Sequence, residues 1–349
     1  MKHKLGIIGY GGMGAWHQEN SKRVPDLECV AVYDINPERL KVAEERGLKA
    51  FNDIDDFFEK GDFDLVLVAT PNNFHKDMSI KAMNKGKNVI CEKPVAMSSQ
   101  ELEEMIEASE RNKVLFTVHQ NRRWDYDYRI VSKALKDGMV GKPYTIESRA
   151  HGTSGVLHGW RAYKVSGGGM LFDWGVHLID QIMYMIPEKV VNVFALLRNI
   201  KTPEVDDYFK VLLTFESGLI AQIEVGTYCL KSLPRWYVNG DAGSIYVNGW
   251  ECDGGIIRAK DVTVEWVPEV VQTVAGPTRT MAPRPKEIIE ELSLPKVESD
   301  WIEYYLNVIA ALEGKQEIFV KLPQVMRVMK VIDACFSSSR TGCAIQVNV

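Results

Sequence analysis

The sequence predicts an α/β protein in two parts. An N-terminal doubly wound parallel sheet is followed by a C-terminal α+β domain built on a large, mainly antiparallel open sheet. Three observations predict this. Short apolar runs alternate with amphipathic stretches through the first third of the chain, as in repeated strand–helix–strand units. A glycine-rich turn, Gly9-Tyr10-Gly11-Gly12-Met13-Gly14, joins the first such run to the first amphipathic stretch. After about Trp124 the pattern changes to longer, half-buried strands. With 349 residues the chain exceeds one ordinary core. We expect one domain over residues 1–122 and a second over 123–349, with the final helices packing back toward the first.

Taken in order, Leu5–Gly9 reads as a strand, Gly12–Arg23 as a helix and Glu28–Asp34 as a second strand. Asn36 caps a helix over Pro37–Arg46, with proline in its first turn. Asp64–Ala69 is a strand whose Leu65-Val66-Leu67-Val68 run suits a parallel sheet covered on both faces. Phe74–Lys85 is a helix closed by Gly86, and Asn88–Cys91 a strand. Ser98 or Ser99 caps a helix over Gln100–Asn112, and Val114–Val118 is one more strand. In the second part a helix over Tyr128–Lys136 precedes strands at Tyr144–Arg149, Val190–Leu197, Tyr208–Phe215, Leu219–Thr227, Trp236–Val238 and Ser244–Val247. Glu216-Ser217-Gly218 makes a hairpin turn. Leu171–Met185 interrupts the strands as a helix, Val270–Pro295 reads as a surface loop, and Ser299–Leu312 and Pro323–Ser339 close the chain as amphipathic helices.

Composition removes several classes of function. A formal charge of -5 leaves no basic excess for nucleic acid. No segment approaches the roughly eighteen uninterrupted apolar residues of a membrane span. The apolar N-terminus is broken by Gly6, Gly9, Gly11, Gly12 and Gly14 and lacks a cleavage signature, so a cytoplasmic location is expected. The six cysteines lie far apart and read as reduced thiols. None stands at zinc-ligand spacing from another Cys or from a His, so no metal is expected.

The glycine turn has the G-x-G-x-x-G spacing of a dinucleotide site, and it leaves a strand to open a helix, the context that gives the spacing meaning. Gly9 permits the tight turn, Gly11 lets a pyrophosphate approach the backbone, and Gly14 lets helix and strand pack closely. The free amides at the helix N-terminus, around Gly12 and Met13, receive the phosphates. Asp34 ends the second strand, where a carboxylate accepts ribose hydroxyls and repels a 2′-phosphate. NAD is therefore expected over NADP, with Arg39 nearby moderating the preference.

Further polar residues stand where strands end: Thr70-Pro71-Asn72 and His75, then Glu92-Lys93-Pro94, then His119-Gln120-Asn121-Arg122-Arg123-Trp124. Strand carboxyl ends of a parallel sheet gather around one crevice. In the second part, Gly167-Gly168-Gly169 precedes Asp173 and His177, four positions apart and so on one face of a regular helix. The glycine run suggests close backbone approach to a ligand. Alcohol oxidation needs a base for the hydroxyl proton while hydride leaves to a nicotinamide. Histidine titrates near neutrality and a carboxylate beside it can fix its tautomer, while a lysine ammonium stabilises developing alkoxide charge.

These features together resemble the glucose–fructose oxidoreductase/inositol dehydrogenase (Gfo/Idh/MocA) family. The resemblance spans nearly the whole chain: the glycine turn, Glu92-Lys93-Pro94, Asn121-Arg122-Arg123, Gly159-Trp160-Arg161, the glycine run leading to Asp173 and His177, and the pattern from Pro323 to Gly342. It implies that Lys93 and His177 flank the substrate carbinol, and that Asp173 binds substrate or orients His177. It also implies that Asn72, His75, Glu92, Gln120, Asn121, Trp160 and Arg161 touch the cofactor, that Lys93–Pro94 is cis, and that a second subunit covers the open sheet in a homodimer or homotetramer, for which apolar outward positions are expected in the strands near Tyr208–Thr227. Its members act mostly on sugars, inositols and related polyols. Aromatic faces and hydroxyl-binding groups suit such ligands, and Trp160, Tyr163, Arg235 and Tyr237 are the candidate substrate contacts. Two alternatives stay open on the sequence: a redox-assisted glycoside-cleaving enzyme that retains NAD, and a non-catalytic NAD-binding sensor.

Overall fold

The computed structural model describes residues 2–349 apart from 262, 264, 265 and 280–282. The first part of the chain runs β1 (His3–Ile8), α1 (Gly12–Ser21), β2 (Leu27–Tyr33), α2 (Pro37–Glu45), β3 (Lys49–Phe51), α3 (Ile54–Lys60), β4 (Leu65–Val68), α4 (His75–Asn84), β5 (Asn88–Cys91), α5 (Ser99–Asn112) and β6 (Phe116–Val118). Its six strands form one parallel sheet in the order β3-β2-β1-β4-β5-β6. The order reverses between β1 and β4, and this reversal opens a crevice at the strands' carboxyl ends. All four residues of β4 are inaccessible to solvent, as a strand covered by helices on both faces requires. Local chemistry sets the helix starts: the Asn36 side chain accepts from the Glu38 amide at 2.9 Å, and the Ser98 hydroxyl from the Glu101 amide at 3.2 Å.

The second part runs α6 (Tyr126–Lys136), β7 (Pro143–His151), a π-helical turn over Leu171–Gly175 that continues into α7 (Val176–Met185), β8 (Val190–Arg198), β9 (Tyr208–Phe215), β10 (Ile220–Gly226), β11 (Trp236–Gly240), β12 (Gly243–Val247) and β13 (Gly254–Ala259). It ends with β14 (Val270–Thr273), β15 (Gly276–Arg279), β16 (Ile289–Leu292), α8 (Ile302–Leu312), α9 (Leu322–Thr341) and β17 (Ile345–Gln346). Nine strands make one sheet in the order β16-β13-β12-β11-β7-β10-β9-β8-β17. β7 and β10 run parallel and the other neighbours antiparallel. The edge of β8 beyond β17 is covered by α9, whose Ser338 and Ser339 hydroxyls accept from the Ala195 and Leu197 amides at 2.9 and 3.1 Å. The connection between α8 and α9 also reaches the first sheet, where Thr117 donates to the Val320 carbonyl at 3.1 Å.

Three expectations are corrected. Val270–Pro295 is not a loop throughout, because β14 and β15 pair as a hairpin and β16 joins the sheet edge beside β13; residues 280–282 lie outside the described residues. Leu171–Met185 is not one regular helix but a π turn followed by α7. The outward row of β9 and β10 is mixed rather than apolar: Leu212 and Ile220 stand beside Lys210, Gln222 and Glu224. The short elements β3, α3, β13 and β17 were not legible in the apolar pattern.

Candidate active site

The glycine turn lies at the topological switch. Gly9 has φ +92°, and a Cβ there would stand 2.8 Å from the Ala69 carbonyl oxygen at the end of β4. A Cβ on Gly14 would come within 2.1 Å of the Gly9 carbonyl, so α1 can start this close to β1 only without a side chain. Asp34 is buried and shapes the turn: its Oδ2 accepts from the Tyr10 amide at 2.7 Å and its Oδ1 from the Asn36 amide at 2.8 Å. Arg39 Nη1 lies 3.3 Å from Asp34 Oδ2, so the carboxylate meets a ligand with a guanidinium beside it.

Gly9, Asp34 and Arg39 line a cavity of about 700 Å³ with Gly11, Gly12, Met13, Thr70, Pro71, Asn72, His75, Glu92, Lys93, Trp160 and Arg161. The cavity fits a dinucleotide. A Cβ built on Gly12 would meet open space, and Thr70 Oγ1, in the lining, is buried without a partner among the described residues; both polar atoms of the Gln120 amide are also unpartnered, but Gln120 lies outside the lining. Asn121, beside Gln120, is buried in a short turn after β6. His75 is held at the cavity edge with Nδ1 2.7 Å from the Pro94 carbonyl and Nε2 2.9 Å from that of Thr70. Burial lowers its pKa.

Lys93 joins the two sheets. Its Nζ donates to the Asp173 carbonyl at 2.8 Å and to Asp173 Oδ1 at 2.9 Å, and the Lys93–Pro94 bond is cis. Arg161 Nε lies 3.3 Å from the other Asp173 oxygen. Burial would raise the Asp173 carboxyl, but Lys93 and Arg161 beside it hold it below the usual carboxylate range. The Asp173 carboxylate thus pairs with Lys93 and Arg161, and no hydrogen bond joins it to His177 among the described residues. Asp173 lies in the π turn and His177 in α7, so the two do not share one regular helix.

His177 is 4% exposed, and its Nδ1 is buried without a partner among the described residues. Burial pushes the imidazole well below its ordinary pKa, and the nearby Lys93 and Arg122 charges push it the same way. Burial and both charges therefore favour the uncharged imidazole.

Behind Lys93 lies a cluster that spacing did not reveal. Glu92 Oε1 accepts from His17 Nε2 at 2.6 Å and from His119 Nδ1 at 2.8 Å, while Glu92 Oε2 accepts from the Lys93 amide at 3.0 Å. Burial pushes His17 down to about 4, with His119 adding to the effect. Burial opposes the charge on Glu92, but His119 and His17 hold it well below the carboxylate range. Glu92 Oε1 thus takes an N–H from each imidazole, while His119 Nε2 is buried without a partner among the described residues. His17, His119 and Glu92 are thereby explained as the mount for the Lys93 backbone.

The candidate substrate contacts separate. Trp160 lines the dinucleotide cavity with Arg161, and Tyr163 is exposed in the turn that follows. Arg235 is buried, with Nε 3.0 Å from Asp127 and Nη1 donating to Ser148 Oγ at 2.6 Å, so it meets neighbours rather than open space. Tyr237 sits one position along β11 from Trp236, whose indole donates to Asp127, and so points to the opposite face of the sheet. The glycine run also differs from expectation. A Cβ on Gly168 would meet the Arg161 carbonyl at 2.2 Å, so the close approach is of the chain to itself.

Residues 3–120 match a family model described as an oxidoreductase family, NAD-binding Rossmann fold, and residues 128–246 match the GFO/IDH/MocA C-terminal domain. Among solved structures, an NAD-binding protein from Listeria innocua is 38% identical, with a TM-score of 0.92 over 99% of both chains. Myo-inositol 2-dehydrogenase of Thermotoga maritima is 29% identical over 63% of this chain and 67% of its own. A scyllo-inositol 2-dehydrogenase (NADP(+)) of Bacillus subtilis is 26% identical over 97% of this chain and 94% of its own.

Proposed function

Because the chain belongs to the GFO/IDH/MocA oxidoreductase family and binds NAD through a Rossmann domain, we propose that it oxidises a secondary hydroxyl of a sugar, inositol or related polyol. In this reading residues 1–122 hold the cofactor and 123–349 the substrate, in a cytoplasmic homodimer or homotetramer. The observation that carries it is the ion pair between Lys93, just after β5, and Asp173, in the π turn of the second part, with the buried His177 on the helix that continues from that turn.

When bound, NAD supplies the hydride acceptor. His177 accepts the hydroxyl proton, for which a neutral imidazole is the required form. The Lys93 ammonium donates to the same oxygen and stabilises alkoxide charge as it develops. Asp173 fixes the Lys93 ammonium and Arg161, while Glu92 fixes the Lys93 backbone. Thr70, whose unpartnered hydroxyl lies in the cavity lining, supports a role in holding the cofactor's polar groups. NADH formation across a panel of inositols, aldoses and their derivatives tests the reading, and a Lys93→Ala variant inactive on the substrate found supports it. Activity retained by that variant contradicts it.

A further inference from the structure

Lys93 and His177 come from different parts of the chain, the first just after β5 of the parallel sheet and the second on α7. Acting on one hydroxyl requires α7 to be held in register with that sheet. The holding element stands beside β5. β6 pairs with β5, the His119 amide donates to the Cys91 carbonyl at 2.9 Å, and the chain then makes the turn Asn121–Trp124.

That turn meets one face of α7. Asp180, Gln181 and Tyr184 stand three, four and seven positions beyond His177, a single stripe of a regular helix. Arg123 donates from Nε to Asp180 Oδ2 at 2.8 Å and from Nη2 to Asp180 Oδ1 at 2.7 Å, a two-pronged pair that fixes angle as well as distance. The same guanidinium lies 4.2 Å over the Tyr184 ring, and its Nη1 donates to Gln324 Oε1 at 2.8 Å. Gln181 donates to the Arg122 carbonyl at 2.7 Å. The Arg122 side chain lies 4.2 Å over the Trp174 ring, which stands 5.6 Å from Trp250 and 6.3 Å from the His177 imidazole. The turn therefore grips the helical segment on both sides of His177.

Arg123 and Asp180 are 3% and 2% exposed. Desolvating two charges offsets most of their attraction, and apolar residues of similar volume often serve stability as well. Stability alone therefore does not account for this pair, whereas a fixed geometry does. We propose that Arg123 and Asp180, with Gln181, are positioning residues that set His177 at its working distance from Lys93. The proposal rests on the polyol dehydrogenase reading and adds to it the contact that assembles its two reacting groups. Neither Arg123 nor Asp180 lines the dinucleotide cavity, so their effect falls on turnover and not on NAD binding.

Two variants test this. Arg123→Met combined with Asp180→Leu removes both charges and keeps an apolar contact, so its melting temperature should stay close to that of the wild type. Its NAD affinity and KM should change little, while kcat falls by about 10²-fold, as a small misplacement of a reacting group produces. Arg123→Lys keeps the charge pair but not the two-pronged geometry, and its kcat should fall by about tenfold. Wild-type kcat in either folded variant would overturn the proposal. If no polyol is oxidised, the His177 imidazole resonances of the NAD-loaded protein, assigned by their loss in His177→Ala, separate the two claims. Resonances that move or broaden in Arg123→Lys keep the positioning role and reject the dehydrogenase, whereas resonances identical to the wild type reject the positioning role.

Discussion

Asp34 shows how much one carboxylate has to do at this site. It holds two amides of the glycine turn and α2, and it faces the place where a ribose hydroxyl or a 2′-phosphate would lie. Arg39 at 3.3 Å offsets part of its charge. NAD should bind more tightly than NADP, and Asp34→Ala should narrow the gap while weakening both by loosening the turn. Titration of both nucleotides checks this, and a wild type that prefers NADP would contradict the assignment. Lys93 is held by a similar economy, with its ammonium on Asp173 and its amide on Glu92.

At the scale of an element, the helical segment carrying Asp173 and His177 is anchored from a distant residue. Asp206 Oδ2 accepts from the Leu171 amide at 2.7 Å, and the Asp206 carbonyl accepts from Met170 at 2.8 Å. Burial raises the Asp206 carboxyl from 3.8 to about 7. Between those values the folded protein holds a proton that the unfolded chain releases, so this group lowers stability as pH rises across that window. Asp206→Asn keeps an acceptor for Leu171 and removes the titration. The variant's melting temperature relative to wild type should therefore rise between about pH 4 and 7 and level off above; a constant difference would contradict this. Asp206→Ala, which removes the cap, should cost about 0.5–2 kcal/mol. This element also marks what the sequence made legible. The glycine turn and the polar residues at strand ends stood out because strand, turn and helix are contiguous. The Asp206 cap, the His17–Glu92–His119 cluster and the Trp250–Trp174 contact join residues far apart in the chain, and no local period encodes them. The pairing of Asp173 with Lys93 and Arg161 likewise joins separate segments, and the π turn at Asp173 departs from the 3.6-residue period that sequence spacing reads.

At the scale of the molecule, the nine-stranded sheet leaves one broad face outward. Lys210 and Arg149 both approach Glu224 there, at 3.4 and 3.5 Å, between the apolar positions Leu212 and Ile220. Such a mixed face suits an isologous interface between subunits. Light scattering at micromolar concentration should give a dimer or tetramer, and Leu212→Glu should shift it toward monomer; a monomeric wild type would remove the idea. The central claim, however, concerns the reaction that the two sheets assemble between them. His177 lies well below its ordinary pKa of 6.5 because burial, Lys93 and Arg122 all disfavour its charged form. The measurement that tests the claim most directly is the pH dependence of kcat/KM for polyol oxidation in the wild type and in His177→Ala. The wild type should be flat through neutrality and fall only well below pH 6.5, as His177 protonates. The variant should lose about 10²–10⁴-fold in kcat and lose that acid limb, with NAD affinity little changed. Near-normal turnover in the variant, or the same acid limb without the imidazole, would contradict the assignment of His177 as the proton acceptor.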